Sequence, residues 1–214
     1  MGADQRRAGS VGERELQERC GTSRRAAAFY REQVLGHLNE AMRRFIGRME
    51  MVFVATSDAD GNCDCSLRAG PPGFVRTIDD RTLAYPEYRG NGVMASQANI
   101  MENGHVGLFF ADFLDSTVGL HVNGCARLAG NVDLLRRPDV PQAVRDDIAV
   151  AGGRQPERWV VVQVDEAYIH CSKHVPLFSK RDKAIAWGTD DARLKGGDYF
   201  GARADRQATR SSDG

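Results

Sequence analysis

The residues best suited to chemistry lie between Cys63 and Asn99. Tyr88-Arg89-Gly90-Asn91-Gly92 is a basic, glycine-flanked loop that opens onto a helix-like run. Two glycines let the backbone approach a bound group closely. Arg89 offers a two-pronged donor for an oxyanion, and the amides of the following helix start point the same way. The pattern suits a phosphate, although Gly-Asn-Gly is also ordinary turn chemistry. Upstream, Ser66 and Arg68 share the polar side of an alternating run, with Cys63, Cys65 and Leu67 on the other side. Arg68 is either a second phosphate donor or a solvated strand arginine. Asn99, one or two helix turns beyond the loop, either adds a hydrogen bond to the same group or caps the helix end.

Other polar residues recur in pairs. His121 and Asn123 share one strand face, Tyr168 and His170 another, and Lys173 follows closely. Such pairs either flank a ligand or bond to each other across strands. Arg76 either lines a groove or pairs with Asp79 or Asp80. Metal donors occur in Cys63-x-Cys65 and in His170-Cys171-x-x-His174. Structural zinc sites use wider Cys-x2-4-Cys spacings, often twice. Two thiols on alternate strand positions point to one side, toward a core. No metal site is expected. No histidine is tied to a particular thiol, so a cysteine nucleophile is not expected either. No Gly-x-Gly-x-x-Gly follows a strand, which removes the dinucleotide fingerprint.

These residues need elements to hold them. Residues 1 to about 22 are polar and rich in Arg, Glu and Gly, a mobile tail or a loosely attached helix. From Arg24, the spacing of Val34, Leu38, Met42, Phe45 and Met49 predicts a helix with Ser23 as N-cap. Gly36 and Gly47 weaken it by about 1 kcal/mol each. Met51 to Ser57 is a buried strand, and Asp58-Ala-Asp-Gly-Asn62 a hairpin turn. Gly70-Pro-Pro-Gly73 ends the Cys63–Arg68 strand. Phe74 to Ile78 and Thr82 to Tyr85 form a second hairpin. Val93 to Met101 is a short helix, and His105 to Phe113 and Val118 to Leu128 are longer strands. Arg136 to Ala149 is an amphipathic helix begun near Pro138. Trp159 to Val164 and Ala167 to Cys171 are two further strands. Lys183 to Trp187 is a turn of helix, and the last dozen residues are disordered. Seven or eight short strands with few helices argue for a mainly β barrel. The implied organisation is a tail and helical extension over 1–48, a barrel over 49–178 and a C-terminal extension over 179–214.

Composition narrows the function classes. The chain has 214 residues, enough to bury about 70% of the unfolded surface without disulfides. Lys plus Arg and Asp plus Glu each number 29, which argues against a nucleic-acid or acidic-membrane binder. Five cysteines, no apolar run near membrane-spanning length and no apolar leader fit a cytoplasmic protein with reduced thiols.

Several segments carry a family resemblance. They are S-L-R-x-G-P-P-G-F-V-R (Ser66 to Arg76), D-D-R-T-L-A-Y-P (Asp79 to Pro86), R-G-N-G (Arg89 to Gly92) and N-I-x-E-N-x-H-V-G-L (Asn99 to Leu108). H-V-N-G (His121 to Gly124) and A-Y-I-H-C-S-K (Ala167 to Lys173) follow in order. Together they resemble the FMN-binding split barrels related to pyridoxamine 5'-phosphate oxidase. The resemblance implies a six-stranded split barrel with peripheral helices, and a homodimer whose groove holds FMN between subunits. It places Ser66, Arg68, Arg89, Asn91 and Asn99 near the flavin phosphate. It places Phe74, Val75 and Arg76 along the groove, and the Leu83-Ala84-Tyr85-Pro86 edge beside the isoalloxazine ring. It turns His121, Asn123, Tyr168, His170 and Lys173 toward substrate or the partner's cofactor. The implied function is an FMN-dependent oxidoreductase acting on a small molecule. A deazaflavin coenzyme in the same groove, or a non-catalytic flavin- or haem-binding protein, are the alternatives. The Arg-x-His signature that would grip a substrate phosphate is not evident around Arg181, Arg193 and Lys195, so the substrate is left open.

Overall fold

The computed structural model describes residues 9–212; the first eight residues of the expected tail and the last two of the chain lie outside it. The chain opens with α1 (Val11–Arg19), α2 (Ser23–Gln33) and α3 (Glu40–Ile46). A capping box starts α1: Glu13 N donates to Ser10 Oγ at 3.1 Å and Ser10 N to Glu13 Oε1 at 3.2 Å. The Tyr30 hydroxyl donates to the Glu13 carboxylate and joins α2 to α1.

The long helix expected over residues 24–49 is two helices, and Thr22, not Ser23, sits at the first N-cap. Val34 turns extended, and Leu35 forms a bridge to Ala167 in both directions (3.0 and 2.8 Å). Asn39 then caps α3, its Oδ1 accepting from Met42 N at 2.9 Å. The three-four spacing of apolar residues reflects their shared burial, not one continuous helix face.

The strands are β1 (Met51–Ser57), β2 (Cys63–Ala69), β3 (Arg76–Thr77), β4 (Thr82–Glu87), β5 (His105–Ala111), β6 (Gly119–Ala129) and β7 (Arg158–His170). All ladders are antiparallel, in the order β2-β1-β5-β6-β7-β4-β3. The end strands β2 and β3 do not pair, so the curled sheet stays open. This is the expected split barrel, with the two-residue β3 as a short extra edge. Period-two alternation fills its interior with Val52, Val54, Leu108, Phe110, Val122, Val160 and Val162. Leu38 and Ile46, around α3, join that interior. A second layer lies outside β4 and β7, where Trp159 and Val161 meet residues near α5 (Asn131–Leu135) and α6 (Gln142–Ala149). Trp159 is fully buried, and its Nε1 donates to Asn131 Oδ1 at 3.0 Å.

Other expectations need correction. The helix expected over 136–149 begins only at Gln142, as α6, with α5 ending before it at Leu135, because Pro138 and Pro141 remove donors and bar the residues before them from helical backbone. The two strands expected after Trp159 are one, β7, carrying a bulge at Asp165. No helical turn forms at 183–187. Trp187 instead stacks edge-on against Tyr88, centroids 4.9 Å apart, so this segment serves as an anchor. The end of the chain forms α7 (Ala202–Ser212), with Asp205 in its first turn and Arg210 in its last, complementing the helix dipole. Cys63 and Cys65 do not face the core; both thiols are exposed. The inward face of edge strand β2 is the polar one, covered by α4 (Ala95–Glu102). Among the described residues, no helix is long and apolar enough to cross a membrane.

Candidate functional site

At the open edge of the barrel lies a groove of about 600 Å³, between β2, the end of β4 and the start of α4. One wall is the inward side of β2, presenting Asp64, Ser66 and Arg68. The other is the loop Gly90-Asn91-Gly92-Val93-Met94 and the first turn of α4. Gly92 has φ of 83° and Met94 φ of 57°, the left-handed region that costs a non-glycine residue about 1 kcal/mol or more. The strained Met94 occupies the N-cap position and offers no side-chain cap. The first amides of α4 are therefore left for another acceptor.

Arg68 crosses the groove floor. Its Nε donates to Glu87 Oε1 at 2.9 Å and Oε2 at 3.1 Å. Both contacts come from Nε, so Glu87 orients the guanidinium without engaging its terminal nitrogens. Nη1 touches the Leu67 carbonyl at 3.4 Å. Glu87 is buried at the end of a wholly buried strand, and burial pushes its carboxyl pKa up; Arg68 opposes that shift without cancelling it. Above it, Arg158 Nη1 donates to Gln97 Oε1 at 3.0 Å. At the far end, Ser66 Oγ and Ser96 Oγ each donate to Asp64 Oδ2 at 2.7 Å. These bonds, that of Ser66 first, hold the Asp64 carboxyl below its ordinary range. Tyr85, two residues before Glu87 on β4, is fully buried in the core, and its hydroxyl has no partner among the described residues. Burial, and then the charge of Glu87, push that phenol's pKa up.

The groove thus gathers Ser66, Arg68 and Asn91. Arg89 lies beside it, exposed, its Nη2 2.5 Å from Asp190 Oδ2 of the C-terminal segment. Asn91 Oδ1 accepts from Val93 N at 3.0 Å and shapes the loop. Asn99 neither reaches the groove nor caps α4: its Nδ2 donates to buried Thr56 Oγ1 at 3.1 Å. Phe74, Val75 and Leu83 are core residues, and Pro86 is buried. The β3 ladder on β4 stops at Ala84, so from Tyr85 onward β4 is paired in the sheet by β7 alone. Arg76 pairs with neither Asp79 nor Asp80. It holds α6 through a two-pronged bond to Asp147 (2.8 and 2.9 Å).

The remaining residues form a second cluster, on the outer face of the sheet. The register aligns Phe53, Phe109, His121 and Tyr168 in one row. His121 stacks on Phe109 and on Tyr168, each at 4.8 Å, and its Nε2 lies 3.0 Å from His170 Nδ1. Burial, then the neighbouring His170, lowers the pKa of His121. Asn123 Nδ2 donates to Glu166 Oε1 at 2.9 Å. Lys173 is exposed on a short 3-10 turn, Ser172–His174. None of these lines the groove. Sequence reasoning overlooked Glu87, Ser96 and Arg158. Glu87 carried a readable signal, since an acidic residue closing an apolar strand requires a buried cation.

Replacing Tyr85 by phenylalanine isolates the orphan hydroxyl. Leaving a buried donor unsatisfied costs about 1–3 kcal/mol. Tyr85→Phe is therefore expected to raise the Tm and to leave binding of any groove ligand unchanged, since the hydroxyl does not line the groove. Calorimetry and a ligand titration check both halves.

Fold and groove together define a split-barrel protein with a polar groove at its open edge. The chain belongs to the pyridoxamine 5'-phosphate oxidase family, a flavin-related family of oxidoreductase type, whose model matches residues 38–171. No curated protein matches it. Among solved structures, a variant of HupZ from Group A Streptococcus is 21% identical, covering 62% of this chain and 99% of that one, with a TM-score of 0.46. A putative pyridoxamine 5'-phosphate oxidase from Lactobacillus delbrueckii is 22% identical, covering 64% and 98%, with a TM-score of 0.44. One from Listeria innocua is 13% identical, covering 61% and 95%, with a TM-score of 0.43. At such scores these likenesses carry no functional weight.

Proposed function

We propose that the protein is an FMN-dependent oxidoreductase acting on a small molecule, with the flavin phosphate seated in the β2–α4 groove. The observation that carries this reading is the uncapped, strained start of α4 facing an arginine already oriented by a buried glutamate. An anion there meets free backbone amides and the terminal nitrogens of Arg68, while Ser66 and Ser96 can turn their hydroxyls from Asp64 to it. A guanidinium with unengaged terminal nitrogens, uncapped amides and two hydroxyls are the donors a phosphate takes, so the residues present fit a phosphorylated flavin. When bound, the flavin supplies hydride transfer at its N5. The chain's own residues bind, orient and exclude water, and none is assigned a covalent role. The half-exposed row of Phe53, Phe109, His121 and Tyr168 supports a homodimer joined at the outer face of the sheet.

The test is the absorption spectrum of the purified protein, followed by FMN titration of the stripped form. A flavin spectrum, with stoichiometric reloading that Arg68→Ala weakens, is expected. A colourless protein that binds a deazaflavin and not FMN, or one with a Soret band, would overturn the assignment. Light scattering reports the dimer separately.

Glu87 predicts a pH dependence. Its folded-state pKa is raised, so the stability it contributes is present below its unfolded value and lost as pH rises through the folded one. Its proton also removes a negative charge that would repel a phosphate held by the terminal nitrogens of Arg68. FMN should therefore bind more tightly as pH falls through that raised value. Glu87→Gln should bind FMN about tenfold more tightly near neutrality, about 1.4 kcal/mol, and flatten the pH profile. Flavin fluorescence titrations at several pH values measure both.

A further inference from the structure

We infer that His105, Cys125 and Asp165 form a zinc-binding site on the outer face of the sheet, with one coordination position open to the bowl beside it. The three residues come from β5, β6 and β7. His105 and Cys125 are direct cross-strand partners. Asp165 reaches them through the bulge: Gly124 pairs with Val164 and Asn123 with Glu166, leaving Asp165 as the extra residue. The bulge turns Asp165 and Glu166 outward together, where a regular strand would send one of them into the core.

The ligand atoms of the three residues all lie within 4.8 Å of one another. Cys125 Sγ is 3.8 Å from His105 Nδ1 and 3.9 Å from Asp165 Oδ2. Around a tetrahedral zinc, with bonds of about 2.3 Å to sulfur and about 2.0–2.1 Å to nitrogen and oxygen, such atoms sit about 3.5 Å apart. The two sulfur contacts close by a few tenths of an ångström, and the His105–Asp165 separation, up to 4.8 Å, by about an ångström, a rotation open to two exposed side chains.

The arrangement also distinguishes a cation from a cysteine nucleophile. In a nucleophilic pair, a carboxylate would orient the far nitrogen of the histidine. Here the carboxylate stands beside the sulfur, so that imidazole nitrogen, sulfur and carboxylate oxygen surround one point, as a shared cation requires. One imidazole, one thiolate and one carboxylate suit zinc and disfavour magnesium and calcium, which take oxygen ligands. Three protein ligands leave a fourth position, as in sites that admit water or a small ligand. The adjoining bowl is open, about 1080 Å³, and its floor of Ala55, Gly107 and Gly124 bears nothing larger than a methyl. This site stands apart from the β2–α4 groove and does not depend on what that groove binds.

Metal-stripped full-length protein titrated with Co²⁺ tests the site, since a thiolate ligand gives a sulfur-to-cobalt charge-transfer band and tetrahedral geometry gives intense visible bands. One Co²⁺ per chain is expected, displaced by Zn²⁺. The charge-transfer band should vanish in Cys125→Ser and persist in Cys63→Ser/Cys65→Ser, whose thiols share the bowl. His105→Ala and Asp165→Asn should each weaken Zn²⁺ binding more than about 100-fold, beyond the about 10–100-fold cost of losing a residue that only supports a metal ligand. Circular dichroism of the stripped variants confirms that these exposed substitutions leave the fold intact. Absence of the charge-transfer band, or its loss in the Cys63/Cys65 variant and not in Cys125→Ser, overturns the assignment.

Discussion

Arg68→Ala is expected to cost the chain both stability and its hold on a phosphorylated ligand. The Arg68 and Glu87 side chains are only 21% and 6% exposed. Removing the arginine strands a carboxylate in the barrel wall, and breaking such a pair costs about 3–5 kcal/mol. Glu87 can escape part of that cost by taking up a proton, to which burial already inclines it. The loss of Tm should therefore be larger at alkaline than at mildly acidic pH. Arg68→Ala/Glu87→Gln removes the stranded charge and should recover most of the Tm. It should not recover FMN affinity, which falls by about 1.5–3 kcal/mol when a charge-assisted hydrogen bond is lost. The pair of variants thus separates the structural role of the arginine from its ligand role. A single variant with unchanged affinity and Tm would remove Arg68 from both.

Gly124→Ala carries the second large effect. A β-carbon there would stand 2.0 Å from the Gln163 carbonyl oxygen, a backbone atom held in the β6–β7 ladder. Nothing flexible can yield, so the ladder itself must shift. We expect a loss of more than about 3 kcal/mol, above the usual range for overpacking, and failure to fold at elevated temperature. Gly107→Ala is the control one strand away. Its β-carbon would meet only the Asn123 side-chain oxygen at 3.4 Å and the Ala55 methyl at 3.8 Å, ordinary contacts. Chemical denaturation of the two variants should give sharply different midpoints. Equal midpoints would show that the bulge tolerates rearrangement.

What the sequence revealed followed a physical divide. Elements signalled by local chemistry were legible. The Asp58–Asn62 turn, the alternating β2 and the apolar β1 are each specified by a few neighbouring residues. The glycine-flanked loop before α4 was legible for the same reason, and it lies in the groove. What depended on distant partners was not. Leu35 leaves helical geometry to pair with Ala167, more than a hundred residues later. The polar face of β2 points inward because α4 covers it, which alternation alone could not decide. Arg76 finds Asp147, not its acidic neighbours. His105, Cys125 and Asp165 meet only once three strands are in register, so no short motif announces them. Glu87 stood in plain view, but its partner Arg68 lies on a strand that does not pair with β4.

The thirteen-residue β7 has a consequence for how the chain assembles. It is the seam on which β4 and β6 both hang, and it arrives last among the strands. During synthesis, β1, β2, β5 and β6 can zip together while β4 waits, its outer edge unclaimed, for some seventy further residues to emerge. Throughout that interval a strand of Leu-Ala-Tyr-Pro stands uncovered, the kind of surface that recruits chaperones or drives association with neighbouring nascent chains. Ribosome-bound fragments ending before Arg158 would lack a finished barrel however many of the groove's residues they contained.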